Sequence, residues 1–283
     1  MPPSAYGSRL GRLLQRECLT AIDTLASPGD PHARVHQARK AIRRVRSVLA
    51  LVAPAFDVSA IDGLLRRTGE SLGALRDAHA VADTARRIGT RVADPRWSRV
   101  AAALDARADR LVDRELAIDP DFARRRRALA RAARQLDALP WDVLEAGNLR
   151  AGLQRQRRRV EKAARRARQD PVADTLHRWR RRVRRLRMQL DALQEMKLRA
   201  LDPDPAVSRR LHRLSDELGW RQDLVVLSGS LQRMRTLDDR RGLRAQLDRE
   251  DLQVLERGDA ALRAGATATL RTWPAPSAQP AAE

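Results

Sequence analysis

Aromatic side chains make up only 3% of the 283 residues, with one tyrosine and two phenylalanines among them. So sparse a set provides no stacking platform of the kind that holds single-stranded nucleic acid. Cysteine occurs once, at Cys18, which excludes an internal disulfide and a cysteine metal cluster and fits a reducing cytoplasm. No apolar run approaches the roughly 20 residues that a membrane-spanning helix needs. The opening MPPSAYGSRL has no apolar segment behind a basic end, so no signal peptide is expected. Also missing are a glycine-rich phosphate loop, a nucleophile with a positioned base, and any alternating apolar pattern that would mark a strand. Lysine is scarce too. Lys40, Lys162 and Lys197 are the only three, so nearly all the positive charge is arginine.

That charge is large. Lys+Arg 57 against Asp+Glu 36 gives a formal net charge of +21. Such an excess implies a polyanionic partner: nucleic acid, an acidic membrane surface or another phosphate polymer. Arginine suits bidentate phosphate contacts. A GC-rich genome would raise arginine equally well, so the total carries less weight than its placement.

The placement is clearest in VHQARKAIRRVRSVLALV, Val35 to Val52. At about 100° per residue, His36, Arg39, Lys40, Arg43, Arg44 and Arg46 share one half of a helical wheel, and the apolar residues take the other. No acid lies between His36 and Val52, so the wet face lacks the opposite charges that normally support an exposed helix. The same element returns at Leu176 to Leu193, LHRWRRRVRRLRMQLDAL, where His177, Arg180, Arg181, Arg184, Arg185 and Arg187 match those six in order. Asp30-Pro31 and Asp170-Pro171 precede the two copies, each read as an N-cap with proline in the first turn. A second segment follows each copy. ESLGALRDAHAV, from Glu70, matches DELGWRQDLVVL, from Asp216, aligning Leu72-Gly73 with Leu218-Gly219 and Asp77 with Asp223. Two segments repeated in one order indicate a duplicated unit.

His-x-x-Arg, then Arg-Arg-x-Arg, then Leu-Gly-x-x-x-Asp, all twice, resembles the CHAD family, the conserved histidine α-helical domain. The resemblance runs from about Ser8 to Gly265. It implies an all-α fold of two four-helix bundles related by pseudo-two-fold symmetry, with basic residues gathered on a shared surface. It also implies binding of inorganic polyphosphate and association with polyphosphate granules in a bacterial cytoplasm. No acidic Glu-x-Glu-x-Lys strand accompanies it, so the adjoining triphosphatase domain of some members is not expected here. Gln222 replaces the arginine that Arg76 supplies. Met188 stands where family members often have an aromatic, and Arg181-Arg182 where small or apolar residues are frequent.

Helices are expected at Tyr6–Ala26, through the His36 segment to Pro54, Val58–Ile88, Asp94–Leu116, Phe122–Leu139, Val143–Arg168, the His177 segment, Val207–Leu237 and Asp238–Leu262. The expected division is an N-terminal bundle 1–140, a C-terminal bundle 141–265 and a disordered tail 266–283. Gly69 and Gly73, one turn apart in a helix, imply close approach of a neighbour.

Polyphosphate is the expected partner and nucleic acid the alternative; neither a cofactor nor membrane insertion is expected. The expected polyphosphate contacts are His36, Arg39, Lys40, Arg43, Arg44 and Arg46 with His177, Arg180, Arg181, Arg184, Arg185 and Arg187. Arg155, Arg158 and Lys162 form a second tier. Glu70, Asp77, Asp216 and Asp223 are read as partners that fix the arginines of the basic helices, not as catalytic acids, and no enzymatic activity is expected. His32 and His36 stand at the i,i+4 spacing of metal ligands, but with no carboxylate nearby in sequence and arginines around them no metal site is expected. His79 and His212 read as structural or solvated. The run Arg124 to Arg127 reads as a solvated helix face.

Overall fold

The computed structural model describes residues 5–198, 201, 205–234 and 239–253. Among these residues all regular structure is helical. The helices are α1 (Ala5–Ala26), α2 (Pro31–Val52), α3 (Ser59–Ser71), α4 (Gly73–Val92), α5 (Arg96–Ile118), α6 (Ala123–Asp137), α7 (Ala146–Gln169), α8 (Ala173–Glu195) and α9 (Pro205–Arg233). A further helical stretch covers 240–253. The end of the helix expected to run to Leu237, the start of the one expected from Asp238, its part beyond 253 and the tail 266–283 lie outside the described residues.

Local chemistry accounts for the start of α2. The Asp30 carboxylate accepts from the backbone N–H of His32 and Ala33 at 2.9 and 3.0 Å, and Pro31 fits the first turn of α2. Asp170 does not repeat this role. It closes the C-terminus of α7, donating its N–H to the Arg166 carbonyl at 2.9 Å, and Val172 sits at the N-cap of α8 without a side-chain cap. The longer α7 claims the aspartate that in the first copy starts a helix. The stretch expected as one helix from Val58 to Ile88 is broken at Leu72 (φ −92°, ψ 1°). Gly73, which begins α4, makes the break cheap. Asp119 is buried before α6, where it accepts from the Arg124 N–H at 2.8 Å and from the Arg125 guanidinium at 2.9 Å.

The buried cores do not divide at Pro140. The larger joins Leu10 and Leu14 of α1, Val45 of α2 and Leu129 of α6 to Val160 of α7, Trp179 and Val183 of α8 and Leu211 of α9. The smaller joins Ala85 and Ile88 of α4 and Trp97 and Leu104 of α5 to Leu224, Leu227 and Leu231 of α9, with Leu243 and Leu247. Each fully buried leucine contributes about 1.5–3 kcal/mol, and α9 supplies several to both cores. The halves of the sequence therefore interlock: α2 packs on α7 and α8, and α4 packs on α9. At Gly152 of α7 a Cβ would stand 2.3 Å from the Leu51 carbonyl oxygen, so only glycine lets α7 pass the end of α2.

Helices α2 and α8 meet at equivalent points of the repeat. Ser47 corresponds to Met188, and the Ser47 hydroxyl lies 3.5 Å from Met188 Sδ. Next to them Gln189 donates to the Ser47 carbonyl at 2.7 Å. This buried crossing brings the two basic faces opposite each other. Cys18 is buried in the larger core, and burial pushes its thiol up to about 12.

Candidate binding groove

The two basic faces line a single groove of about 470 Å³ between α2 and α8, closed at its sides by the α3–α4 junction and by α9. Arg39, Arg43 and Arg46 enter it from α2. His177, Arg180, Arg181, Arg184 and Arg185 enter from α8. Of the four predicted acids, Glu70, Asp77 and Asp223 line it as well. Residues not singled out as contacts join them, Arg66, Arg76 and Gln222 among them. Arg76 was legible as the residue preceding Asp77 in the repeated segment. Arg66 carried only the weak signal of standing one turn before Glu70.

Glycine shapes the groove wall in both halves. A Cβ on Gly73 would stand 3.4 Å from Arg39 Nη1, and one on Gly219 3.3 Å from Arg180 Nη2. The repeated Leu-Gly pair thus sets a bare backbone beside the first arginine of each motif, with the tighter fit at Gly219. Arg39 also donates to the carbonyl of Gly69, whose own missing side chain admits Ile42 at 3.4 Å. The close neighbour expected from these glycines is α2.

The arginines lining the groove outnumber the three acids that line it with them. Arg43 is half-buried, and burial together with Arg76, Arg39, Arg180 and Arg187 lowers its pKa to about 10. Its counterpart Arg184 falls to about 9, through burial and then Arg43, Arg180, Arg76 and Arg187. Equivalent arginines thus repel each other across the α2–α8 crossing. The Nε donors of Arg39, Arg43 and Arg180 are buried and have no hydrogen-bond partner among the described residues. Unpaired buried donors on a cation cost free energy, so the arrangement suits an anion that supplies the missing acceptors.

The two histidines differ. His177 lines the groove with Nδ1 3.1 Å from Gln222 Oε1, and Gln222 holds the place that Arg76 has in the first half. His36 is exposed and does not line it. Both are held below the ordinary histidine value. Desolvation leads in each case, followed by Arg43 and Arg76 for His36; for His177 the hydrogen bond to Gln222 opposes it, and Arg181, Arg180 and Arg184 add to the lowering.

The other predicted contacts lie off the groove. Arg44 turns to α1 and the end of α8, pairing with Glu17 at 3.1 Å and with Glu195. Exposed Lys40 lies on the same side, where its charge acts on Glu17. Arg187 sits 3.6 Å from Asp216 and 3.4 Å from His212 Nδ1, and Asp216 stays with it outside the groove lining. Arg155, Arg158 and Lys162 are exposed on α7.

The acids act only partly as expected. Asp223 reaches across to Arg180 at 3.8 Å and Asp216 to Arg187, both arginines of α8. Glu70 and Asp77 instead pair within their own segment, with Arg66 at 3.1 Å and Arg76 at 3.2 Å, because those arginines are their near neighbours along the chain. Burial raises the Asp223 carboxyl, against the lowering pull of Arg180, Arg76, Arg87 and Arg184.

Two readings of other groups change. Arg125 is not a solvated member of the Arg124 to Arg127 run; it is largely buried between Glu115 and Asp119 and reaches the Ser71 carbonyl at 3.1 Å. His32 does have a carboxylate beside it, from α5: its Nε2 lies 2.9 Å from Asp109 Oδ1, and its ring stacks on His79 at 4.5 Å. His79 and His212 are structural, His212 lying 3.1 Å from Asp191. Among the described residues no group of three or more His, Cys, Asp or Glu could hold a metal ion, and no helix is long and apolar enough to cross a membrane.

The structure is an all-helical domain in which a repeated arginine motif closes on one groove. Comparison names the family. The family model of the CHAD domain matches residues 13–232, and the chain belongs to that family, which is linked generally to polyphosphate binding. The crystal structure of the CHAD domain from the plant Ricinus communis superposes with a TM-score of 0.65 at 23% identity, covering 96% of this chain and 92% of the plant chain. That likeness carries the fold. No curated protein matches the sequence.

Proposed function

We propose that this protein binds inorganic polyphosphate in the α2–α8 groove and acts as a binding module without catalysis. The observation that carries the reading is the convergence of Arg43 and Arg184, equivalent residues of the repeat and both half-buried, on one groove, where their like charges lower both pKa values. A flexible phosphate chain needs no shape recognition, only a row of fixed donors, and arginines already set by packing lose less entropy on binding than free ones. Arg39, Arg43, Arg46 and Arg76 would contact one side of the polymer, and Arg180, Arg181, Arg184 and Arg185 the other, with His177 at one end. A polyphosphate granule is the proposed place of action. Membership of the family supports the choice of polymer.

The test is a competition at fixed salt. Labelled polyphosphate bound to the protein is challenged with unlabelled polyphosphate, RNA or DNA at equal phosphate concentration. Polyphosphate should displace best. Displacement by nucleic acid at lower phosphate concentration would replace this reading with nucleic-acid binding. Release of inorganic phosphate in the presence of magnesium would overturn the absence of catalysis.

A further inference from the structure

Resting on that reading of the groove, we infer that a long polyphosphate leaves the groove over α8 and continues along the outer face of α7. Long chains then gain contacts that short ones lack.

Helix α7 packs against both α2 and α8, the two helices that carry the basic faces of the groove, and contributes no residue to the groove lining itself. Arg155, Arg159, Lys162 and Arg166 recur on it at i, i+4, i+7 and i+11. That spacing places them within about 60° of one another in a stripe about 16 Å long. All four are exposed, and Arg158 and Arg165, also exposed, flank them.

Among the described residues none of these six has an ion-pair partner. The acids of this segment are already engaged: Glu161 accepts from Arg157 at 3.0 Å, and Glu145 serves the capping box at the start of α7. A helix that merely faced water would carry opposite charges at i,i+4. This face carries one sign over three turns.

The stripe lies within electrostatic reach of the groove, across the α7–α8 contact. Arg185 lines the groove, and Arg182 stands almost one turn before it on α8. Arg182 is held low by burial and then by Arg159 of α7; Arg185 is lowered by burial, Arg46, Arg182 and Arg159, against the raising pull of Asp62, which pairs with Arg46 at 2.7 Å. Arg46 and Arg185 in the groove, Arg182 on the shoulder of α8 and Arg159 on α7 therefore form one electrostatic path. Only a polymer with regularly spaced charges can use all of it, since a single small anion reaches one segment.

The experiment compares tripolyphosphate with a long-chain polyphosphate fraction on the full chain, measuring affinity across a salt series. In one variant Arg155, Arg159, Lys162 and Arg166 are replaced by glutamine. In a second, of the same charge, the exposed α6 residues Arg124, Arg127, Arg131 and Arg134 are replaced instead. Each phosphate contact contributes roughly 0.7 to the slope of log K against log salt, by analogy with single strands, so loss of four should reduce the long-chain slope by about 3. The α7 variant should show that reduction with long chains, keep its tripolyphosphate affinity and melt as the unaltered protein does. The α6 variant should keep both. Equal weakening of both ligands, or equal losses in both variants, overturns the path and leaves general charge. Unchanged long-chain binding in the α7 variant overturns it too. Failure of both ligands to bind the unaltered protein overturns the reading of the groove itself, a result distinct from loss of length discrimination with binding intact.

Discussion

Arg180 stands 3.8 Å from the Asp223 carboxylate, whereas its counterpart Arg39 donates to a backbone carbonyl, that of Gly69. The repeat has thus kept the arginine and changed what holds it. Asp223 is 23% exposed and Asp77 60%, so the second-half pair is better shielded from water. Asp223→Asn is expected to weaken polyphosphate binding by about 1 kcal/mol, roughly fivefold, although it makes the protein more basic. Asp77→Asn should do less, because Asp77 pairs with Arg76 and not with Arg39. Titration of both variants decides between a held arginine and a charge cloud, which requires tighter binding in each case.

The glycines give a prediction in which stability and affinity move in opposite directions. Gly219 lies inside α9, where alanine favours a helix by about 0.5–1 kcal/mol. Its Cβ would press on the Arg180 guanidinium at 3.3 Å and shift it. Gly219→Ala should therefore melt no lower than the unaltered protein and bind polyphosphate less tightly. A variant that binds normally would show that the position of the guanidinium does not matter.

Removing the groove charge should stabilise the empty protein. Arg43 and Arg184 are half-buried among like charges, with pKa values lowered to about 10 and about 9. Replacing both by methionine is expected to raise the stability of the unliganded protein by about 1–3 kcal/mol while abolishing tight binding. Denaturant melts with and without polyphosphate measure both effects. Destabilisation of the empty variant would mean that these arginines are parts of the scaffold.

The two motifs should contribute alike, while the two histidines should not. Arg39→Gln with Arg43→Gln and Arg180→Gln with Arg184→Gln each remove two groove cations and should flatten the salt slope by a similar amount, about 1.4 for two contacts. His177→Gln should cost more affinity than His36→Gln, because only His177 lines the groove. Normal binding by either double variant would reduce that copy of the motif to support.

Binding should be linked to pH. His177 lies below its ordinary value of 6.5 in the empty groove, and an anion beside it favours the charged ring. The complex then holds more protons than the free protein, so affinity should rise as pH falls through the region around and below 6.5. Stability of the empty protein has the opposite sign. With the folded pKa below the unfolded one, the contribution of His177 is complete above 6.5 and is lost as pH falls through its lowered folded value. Calorimetry in buffers of different ionisation enthalpy reads the proton uptake directly, and its persistence in His177→Gln would reassign it to another group.

Short-range pattern alone determined a large part of this protein. Helix α2 was legible because apolar and basic residues segregate at helical spacing, and its start because Asp30 and Pro31 are adjacent. The two motifs were legible because duplication preserves spacing. The acids, the Leu-Gly pairs and nine of the groove-lining arginine and histidine positions sit in those repeated segments. Tertiary packing decided the rest. Arg44 and Arg43 are neighbours on one wheel face, yet a turn of 100° per residue sends Arg44 to Glu17 of α1 and Arg43 into the groove. Arg76 became central because α4 packs beside α2, a relation between segments far apart in sequence. Asp170 repeats the dipeptide of Asp30 but ends α7, since helix length upstream, not the dipeptide, sets which end it caps. The cores cross Pro140 because α9 is long enough to bury leucines in both, and no periodicity reveals which distant partner a buried face will meet. Sequence specifies each helix face through interactions within a few residues. The crossing of α2 and α8 at Ser47 and Met188, which turns two basic faces into one groove, rests on contacts between residues 141 positions apart.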